Sequence, residues 1–254
     1  MSGQLWYLKA CRLFESCTTE QLQRLEANSR VKNVSKGSPV YLPADEADSV
    51  LVLASGRIKI CHLTSDGKQS ILAFIEPGEI FGELAILNVG NRDEYAEAVE
   101  DSRVVAISGE ALCQLMEEHQ GLCLGITKII GVRRQRIERR VKHLLYLSNR
   151  ERICHLLLEL AEQYGRDSAR GLEITLRLSH QDLASLVGST RETVTVVLGQ
   201  LQNEGLIELG RRKVILKAPD RLAHQVGVPP IQTNTTNLQQ QPSSRVYLRH
   251  SFGS

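Results

Sequence analysis

Arg191 and Glu192 stand at the start of an amphipathic segment near the C-terminal end of the chain. The apolar residues of this segment recur at helical spacing and are Val194, Val197, Leu198 and Leu201. The opposite face carries Thr195 and Val196 together with the two charged residues. In the major groove of DNA, arginine donates to guanine O6 and N7, a carboxylate accepts from cytosine N4, and an apolar group contacts the thymine methyl. The segment is therefore predicted to read DNA bases through Arg191, Glu192, Thr195 and Val196.

A shorter helix is predicted directly before this segment. Ser179 and Asp182 have the spacing of a capping box, which begins a helix. Gly188 suits the tight turn that follows, because glycine tolerates a positive φ. The two helices together form a helix-turn-helix pattern. We expect contacts to the DNA backbone near the starts of both helices, at Ser179, Gln181, Ser189 and Thr190.

The segments on either side of the two helices predict β-strands. Residues 172–178 alternate strictly between apolar and polar types, which is typical of a half-buried strand. After the helices, two apolar runs flank Gly210 and predict a β-hairpin. The hairpin tip carries Arg211, Arg212 and Lys213, which we expect to bind phosphates and so add affinity without sequence information. This order of elements predicts a winged helix, whereas a lone helix-turn-helix pattern also fits an ordinary helical hairpin.

The charge distribution agrees with a DNA-binding C-terminal half. The net charge of the 254-residue chain is only +2. Residues 1–125 hold 11 Lys/Arg and 18 Asp/Glu, whereas the remaining residues hold 20 and 11. A basic half favours contact with DNA. Because no apolar run approaches the roughly 18 residues of a membrane span and no signal peptide is recognisable, we expect a globular protein of the cytoplasm without membrane contact.

The cysteines do not form a metal-binding pattern. They are Cys11, Cys17, Cys61, Cys113, Cys123 and Cys154, and no CxxC pair occurs. Reduced, buried thiols are the favoured interpretation, and a redox, haem or iron–sulfur sensor is the alternative. Cys61 and His62 are adjacent, but neighbours on a strand point to opposite faces and do not easily share a metal. The sequence therefore predicts no metal site.

Residues 31–108 alternate short β-type runs with turn signals. Gly56, Gly67 and Gly78 recur every eleven residues between these runs. Short strands at such regular spacing predict an all-β barrel or sandwich. Ahead of it, residues 18–22 predict a short capped helix.

One loop of this β structure carries residues that could hold an anion. Backbone N–H groups around Gly82 and Glu83 could meet an anionic ligand, with Arg92 as its counter-charge. The same residues also fit a purely structural role, in which Gly82 permits a tight turn and Arg92 pairs with Asp93 or Glu94. The residues alone leave both interpretations open.

A long helix is predicted between the β structure and the winged helix. Ile130, Ile137 and Leu144 lie seven residues apart on its apolar stripe, and the intervening face is strongly basic. This pattern predicts the seam of a coiled-coil-like dimer. The predicted seam residues are Ile126, Ile130, Ile137, Val141 and Leu144. The stripe could instead pack entirely against its own β domain.

These elements, in this order, resemble the Crp–Fnr family of bacterial transcription regulators over about residues 5–220. The resemblance rests on three motifs, which are residues 78–83 (GEIFGE), 152–161 (RICHLLLELA) and 183–194 (LASLVGSTRETV). It implies an α+β fold in four parts. The parts are a jelly-roll-like, cyclic-nucleotide-binding-like β-roll sensor at 1–110, a dimerisation helix region at 111–148, a winged helix-turn-helix at 149–220 and a tail at 221–254. It also implies a homodimer on near-palindromic double-stranded DNA, RNA polymerase as a partner, and an effector at the β-roll.

The family pattern fails in part at the effector site. Gly82, Glu83 and Arg92 match the phosphate-binding cassette of the cyclic-AMP-responsive branch, but Asp93 replaces its small hydroxyl residue. A carboxylate 4 Å from a phosphate is unfavourable by on the order of 1 kcal/mol or more. The positions that face the adenine in that branch are here Ile137 and Glu138. Cyclic AMP is therefore not expected. No cofactor motif is present, and a cyclic nucleotide, haem and an iron–sulfur cluster all stay open.

The reading helix departs from the family at one position. Arg191 and Glu192 match base-contacting positions, whereas Val196 stands where an arginine is usual. Valine cannot hydrogen-bond a guanine but can contact a thymine methyl. We therefore expect a half-site that is related to the one read by the family and not identical to it.

The composition of the chain changes near its C-terminal end. From about Ala218 the composition turns to Pro, Gln, Asn, Thr and Ser, so residues 221–254 are predicted to be a disordered tail.

A sensor whose C-terminal domain binds a protein is the alternative class of function. An enzyme is not expected, because no nucleophile–base pair, metal set or phosphate loop is recognisable.

Overall fold

The chain forms two units, residues 1–134 and residues 135–254. The computed structural model describes residues 5–63, 69–87 and 90–231. The turn expected at residues 65–67 and the tail from residue 232 onward lie outside this range. Among the described residues, no helix is long and apolar enough to span a bilayer.

Two antiparallel four-stranded sheets form most of the N-terminal unit, as the regular turn glycines predicted. Their strands are β1 Ser29–Val34, β2 Pro39–Tyr41, β3 Ser49–Ser55, β4 Ile58–Leu63, β5 Gln69–Ile75, β6 Ile80–Phe81, β7 Tyr95–Ala98 and β8 Ser102–Ser108. One sheet has the strand order β1-β8-β3-β6 and the other β2-β7-β4-β5. Leu51 and Leu53 of β3 pack with Ile58 and Ile60 of β4 in the core that the two sheets share.

Helices cover the outer face of the first sheet. They are α1 Leu5–Ala10, a 3₁₀ turn Arg12–Phe14, α2 Thr19–Ala27, α3 Gly109–Glu118 and the first part of α4 Gln120–Tyr146. Val50 and Val52 of β3 point to this face and pack with Phe14 and Leu122. Because β3 is buried on both faces, its sequence is continuously apolar over residues 50–53 rather than alternating.

The apolar stripe of α4 divides into two parts. Ile126 is buried in the core of the N-terminal unit, and Ile130 is partly buried against the same core. The prediction that Ile126 belongs to a dimer seam is therefore wrong, because this turn of α4 is already covered by its own chain. Farther along the helix, in the second unit, Ile137, Val141 and Leu144 are 49%, 48% and 50% exposed. For these three residues the seam stays a prediction.

A helical domain with one four-stranded sheet forms the second unit. Its elements after α4 are α5 Asn149–Tyr164, β9 Gly165–Ser168, β10 Gly171–Ile174, α6 His180–Val187, α7 Arg191–Asn203, β11 Ile207–Gly210, β12 Lys213–Leu216 and α8 Pro219–Gln225. The antiparallel sheet has the order β11-β12-β10-β9. Strand, two helices and hairpin follow one another as the sequence predicted for a winged helix.

Three features of this unit differ from the predictions. The strand expected over residues 172–178 ends at Ile174, because Ile174 pairs with Val214 near the start of β12. Leu176 and Leu178 beyond it are still buried. No local pattern predicted β9, whose four residues are all exposed. The predicted tail is wrong for residues 221–225, because they form part of α8, in which Leu222 and Ala223 are buried.

All six cysteines are free thiols. Burial raises the pKa of Cys11 to about 12 and that of Cys154 to about 11. Cys61 is buried whereas His62 is exposed, so the two side chains lie in different environments. No group of three or more metal-binding side chains occurs in the part of the chain that the structure describes.

Candidate nucleic-acid interface

Helix α7 presents the predicted base-reading residues on one exposed face. Thr190 is its N-cap, and the Thr190 hydroxyl oxygen accepts from the Thr193 N–H at 3.2 Å. The buried face consists of the apolar residues named from the sequence, which are Val194, Val197, Leu198 and Leu201. Arg191, Glu192 and Thr195 are exposed, and Val196 is 59% exposed. Charged groups in the first turn, where recognition helices contact base edges, can therefore reach a major groove.

Helix α6 and the turn after it also form as predicted. The Ser179 hydroxyl oxygen accepts from the Asp182 N–H at 3.1 Å, and the Asp182 carboxylate accepts from the Ser179 N–H at 2.8 Å. Gly188 ends the helix with φ +65°, the left-handed region that favours glycine. The capping box thus begins α6, and the left-handed Gly188 ends it before the turn to α7.

A two-residue turn joins β11 and β12, and both of its residues are arginines. Gly210 pairs with Lys213 across the hairpin, which leaves Arg211 and Arg212 at the tip. Both arginines are exposed, and Arg212 has φ +54°. The wing therefore presents two guanidinium groups to solvent.

A cleft of about 370 Å³ brings residues of the two helices and the wing together. Its polar lining consists of Ser179, His180, Gln181, Arg191, Arg212 and Lys213. Arg191 was predicted to read bases, whereas Ser179, Gln181, Arg212 and Lys213 were predicted to contact the DNA backbone. Three cations around one concave surface suit a segment of polyanion backbone next to a base edge.

His180 belongs to this cleft and was missed in the sequence. Its Nδ1 lies 2.8 Å from the Thr195 hydroxyl oxygen, and the Thr195 hydroxyl donates to the Arg191 carbonyl at 2.8 Å. Because Thr195 has a single hydroxyl proton, the His180 ring must donate from Nδ1. His180 thereby ties the start of α6 to the exposed face of α7. A lone histidine at a helix start gives no sequence signal for such a contact.

Some predicted backbone contacts are engaged within the protein. The Ser189 hydroxyl donates to the Asn149 side-chain oxygen at 3.0 Å. Lys213 Nζ lies 2.7 Å from a carboxylate oxygen of Glu173 on β10. A phosphate would therefore have to compete with Glu173 for Lys213. Arg211 and Arg212 at the tip are exposed.

The β-roll residues predicted to meet an effector lie close together. Arg92 is only 9% exposed, and it donates to the Ser49 carbonyl at 2.6 Å and to the Gly82 carbonyl at 3.5 Å. Its guanidinium lies 4.3 Å from the centroid of the Tyr41 ring. A Cβ at residue 82 would lie 2.5 Å from Arg92 Nη1, so glycine is required for this approach. Arg92 does not pair with Asp93, which is exposed.

Glu83 forms a buried ion pair that the sequence did not reveal. Arg133 of α4 donates to the Glu83 carboxylate and to the Ile80 carbonyl. Burial lowers the pKa of Arg133, but the attraction of Glu83 more than compensates and leaves the pKa raised. Glu83 is 7% exposed. The pair therefore connects α4 to the loop around Gly82 and Glu83, where an effector was predicted to bind.

A second carboxyl group lies beside this pair. The Tyr41 hydroxyl donates to Glu94 at 3.1 Å. Burial and then the neighbouring Glu83 raise the pKa of Glu94. Ile137 and Glu138, the other two predicted pocket residues, belong to the second unit and are exposed there. Their assignment to an effector pocket stays a prediction.

Comparison with known proteins agrees with this combination of domains. The family profile for a cyclic nucleotide-binding domain matches residues 31–119, and that for a Crp-like helix-turn-helix domain matches residues 151–225. "Probable transcriptional regulator flp" of Lacticaseibacillus casei is 30% identical over 209 residues, which are 82% of this chain and 93% of that protein. The chain belongs to the Crp–Fnr family. It is a transcriptional regulator with a helix-turn-helix DNA-binding domain.

Other relatives are named for different signals. The cyclic AMP receptor protein of Thermus thermophilus is 28% identical over 203 residues, covering 80% of this chain and 91% of that protein. The solved structure of CLP, described as a c-di-GMP-responsive global regulator of Xanthomonas campestris, has a TM-score of 0.70 at 25% identity. It covers 78% of this chain and 99% of CLP.

Proposed function

We propose that this regulator binds a near-palindromic DNA site as a homodimer in the cytoplasm. Arg191 and Glu192 read a G·C-containing half-site, while Thr195 and Val196 contact neighbouring base edges. Arg211 and Arg212 hold phosphates, together with Gln181 and Thr190 near the helix starts. The function is regulatory rather than catalytic, and RNA polymerase is the protein partner.

The cleft between α6, α7 and the wing carries this proposal. Arg191 lines it together with Arg212 and Lys213, although the wing follows α7 by several residues in the chain. A base reader beside two phosphate-binding cations is the arrangement that sequence-specific DNA binding requires, because phosphate contacts set the register in which base contacts act.

The effector is proposed to act at the β-roll, around Glu83 and Arg92. Both side chains are committed to protein partners, Glu83 to Arg133 and Arg92 to two carbonyls. Asp93 adds a carboxylate beside the position where the cassette of the cyclic-AMP-responsive branch holds a phosphate. Cyclic AMP is therefore predicted not to bind at micromolar concentration. Isothermal titration calorimetry tests this, and a micromolar dissociation constant would contradict it.

The base-reading role is tested by replacing Arg191. Arg191→Ala should weaken binding to the selected duplex by about 1–3 kcal/mol per half-site and relax the preference at one base pair in each half-site. Arg212→Ala should weaken binding to all sequences alike and reduce the slope of log K against log salt by about 1.8, which is about 0.9 for each protomer of the dimer. Binding selection on randomised half-sites, followed by gel-shift titration at several salt concentrations, measures both effects.

Arg166→Ala is the matched control for these two variants. Arg166 is an exposed arginine on β9, at the opposite edge of the sheet from the wing strand β11. The control removes the same charge and should leave the selected sequence and the salt slope nearly unchanged. If Arg191→Ala instead lowers affinity uniformly, as Arg212→Ala does, Arg191 is a phosphate contact and not a base reader.

A further inference from the structure

The turn between α6 and α7 is in contact with the last turns of α4. A Cβ at Gly188 would lie 2.9 Å from Leu144 Cδ2 and 3.9 Å from Cδ1. Such a separation from Cδ2 is closer than Cβ contacts normally allow, so Leu144 packs directly against the glycine backbone. Although Leu144 was predicted as a dimer-seam residue, part of its side chain is used within its own chain.

A second contact reaches the same turn from the start of α5. The Ser189 hydroxyl donates to Asn149 Oδ1 at 3.0 Å, and Arg152 also donates to this oxygen. Asn149 is the first residue of α5, and two residues separate it from the end of α4. Gly188 and Ser189 are thus held by two residues that flank the junction of α4 and α5.

The junction itself is tied by further interactions. Ser148 and Glu151 form a capping box, in which Glu151 accepts from the Ser148 N–H at 2.8 Å. The rings of His143 on α4 and His155 on α5 have centroids 4.6 Å apart. These contacts hold the last turn of α4 and the first turns of α5 together. Leu144 and Asn149 therefore keep a fixed position relative to each other.

We propose that Leu144 and Asn149 are positioning residues for DNA reading. They hold the α6–α7 turn from the α4–α5 junction. They thereby set the orientation of Arg191 and Glu192, which directly follow Thr190 at the start of α7. It follows that the Ser189 hydroxyl serves this internal contact rather than a DNA phosphate. The inference rests on the proposed function for its DNA-binding consequence, whereas the contacts themselves lie entirely in the second unit.

A double-mutant cycle between Gly188 and Leu144 tests the first contact. Gly188→Ala introduces both a strained positive φ and a clash with Leu144, and should weaken binding to the wild-type selected duplex by about 10-fold or more. Leu144→Ala alone removes the packing contact and should itself lower affinity. In the Gly188→Ala chain it removes a clash with the end of a flexible side chain, while the strained φ remains, and it should restore part of the loss. Affinity is measured well below the unfolding temperature, so that a change in stability alone does not alter it.

Gly205→Ala is the matched control for the backbone strain. Gly205 follows the C-cap residue of α7 and has φ +69°. Apart from its chain neighbours, no atom of the described residues lies within 4 Å of the place that a Cβ would take. This variant carries the same strain without the clash, and Leu144→Ala should not improve it. If Leu144→Ala improves both glycine variants equally, or neither, the contact does not position the reader and the proposal is overturned.

The second contact is tested with Asn149 and Ser189. Asn149→Ala and Ser189→Ala should each lower affinity by about 3-fold or more, and the double variant should be no weaker than the weaker single variant. Asn149→Asp keeps the accepting oxygen and should rescue binding. Effects that multiply in the double variant would show that Ser189 contacts DNA independently, which contradicts the proposal.

Two further measurements test whether the positioning role, and not a loss of dimerisation, explains the changes in DNA affinity. Light scattering on every variant, with Val141→Ala as a seam control, shows whether a loss of DNA affinity comes from a loss of dimer. The thermal midpoint gives a readout without DNA, since Leu144→Ala should raise the midpoint of Gly188→Ala but not that of Gly205→Ala. If the wild type selects no DNA sequence, the proposed function fails. If it selects one but the cycles are additive, only the positioning role fails.

Discussion

Val196 is the residue that should distinguish the DNA site of this regulator from that of its relatives. It is exposed on α7 one turn after Glu192, on the face that is predicted to read bases. Val196→Arg adds a bidentate donor for guanine O6 and N7, and should favour a G at the base pair that it faces by about 1–3 kcal/mol. Binding selection on randomised half-sites measures the change.

Gln202→Arg serves as the control for the added charge. Gln202 is also exposed on α7 but lies six residues farther along, away from the first turns that reach base edges. This variant should strengthen binding to all sequences without changing the selected one. A consensus that Val196→Arg leaves unaltered would mean that residue 196 does not face a base.

The single residues that the sequence predicted well are those whose roles depend on near neighbours. Ser179 and Asp182 are three residues apart, and their capping box forms as expected. His180 could not be assigned, because its partner Thr195 lies fifteen residues away on another helix. Glu83 and Arg133 are fifty residues apart, and nothing in either local pattern indicates that they pair.

Among the elements, α4 should owe part of its attachment to the Arg133–Glu83 pair. Glu83→Gln keeps the size of the side chain but leaves the largely buried Arg133 without its counter-charge. Because Arg133 keeps some solvent access, we expect a loss of about 2–4 kcal/mol in the free energy of unfolding, below the cost for a fully buried pair. Urea titration followed by circular dichroism measures it.

Glu118→Gln provides the comparison for this variant. It breaks the ion pair between Glu118 and Arg24, both of which are exposed. Exposed pairs contribute little, so the urea midpoint should stay close to that of the wild type. Equal midpoints for Glu83→Gln and Glu118→Gln would show that the buried pair does not fasten α4.

Elements were predictable where burial leaves a repeating pattern. The β-strands between turn glycines and the two helices of the reader follow from period and capping. By contrast, β9 is polar throughout, and α8 buries only Leu222 and Ala223 within a short polar segment. The heptad pattern of α4 identified an apolar face, but it could not show that Ile126 on this face is covered by the chain's own core.

For the whole molecule, the exposed part of the α4 stripe should decide the oligomeric state. Ile137→Glu combined with Val141→Glu places like charges opposite each other in a parallel seam, and should convert a dimer into a monomer. Multi-angle light scattering gives the mass. Leu124→Glu is the control, because Leu124 is equally exposed on α4 but precedes this part of the stripe. An unchanged mass for the double variant would place the seam elsewhere.

The ion pair between Lys213 and Glu173 bears on how such a protein searches a genome. A phosphate that approaches Lys213 competes with a carboxylate 2.7 Å away, and we expect this competition to act at every DNA sequence alike. The competition should therefore lower the affinity for all sites in equal proportion and leave the ratio between cognate and random sites unchanged. In this role Glu173 would be a tethered mimic of a phosphate, and it should weaken the binding of the wing to the many sites that Arg191 does not recognise.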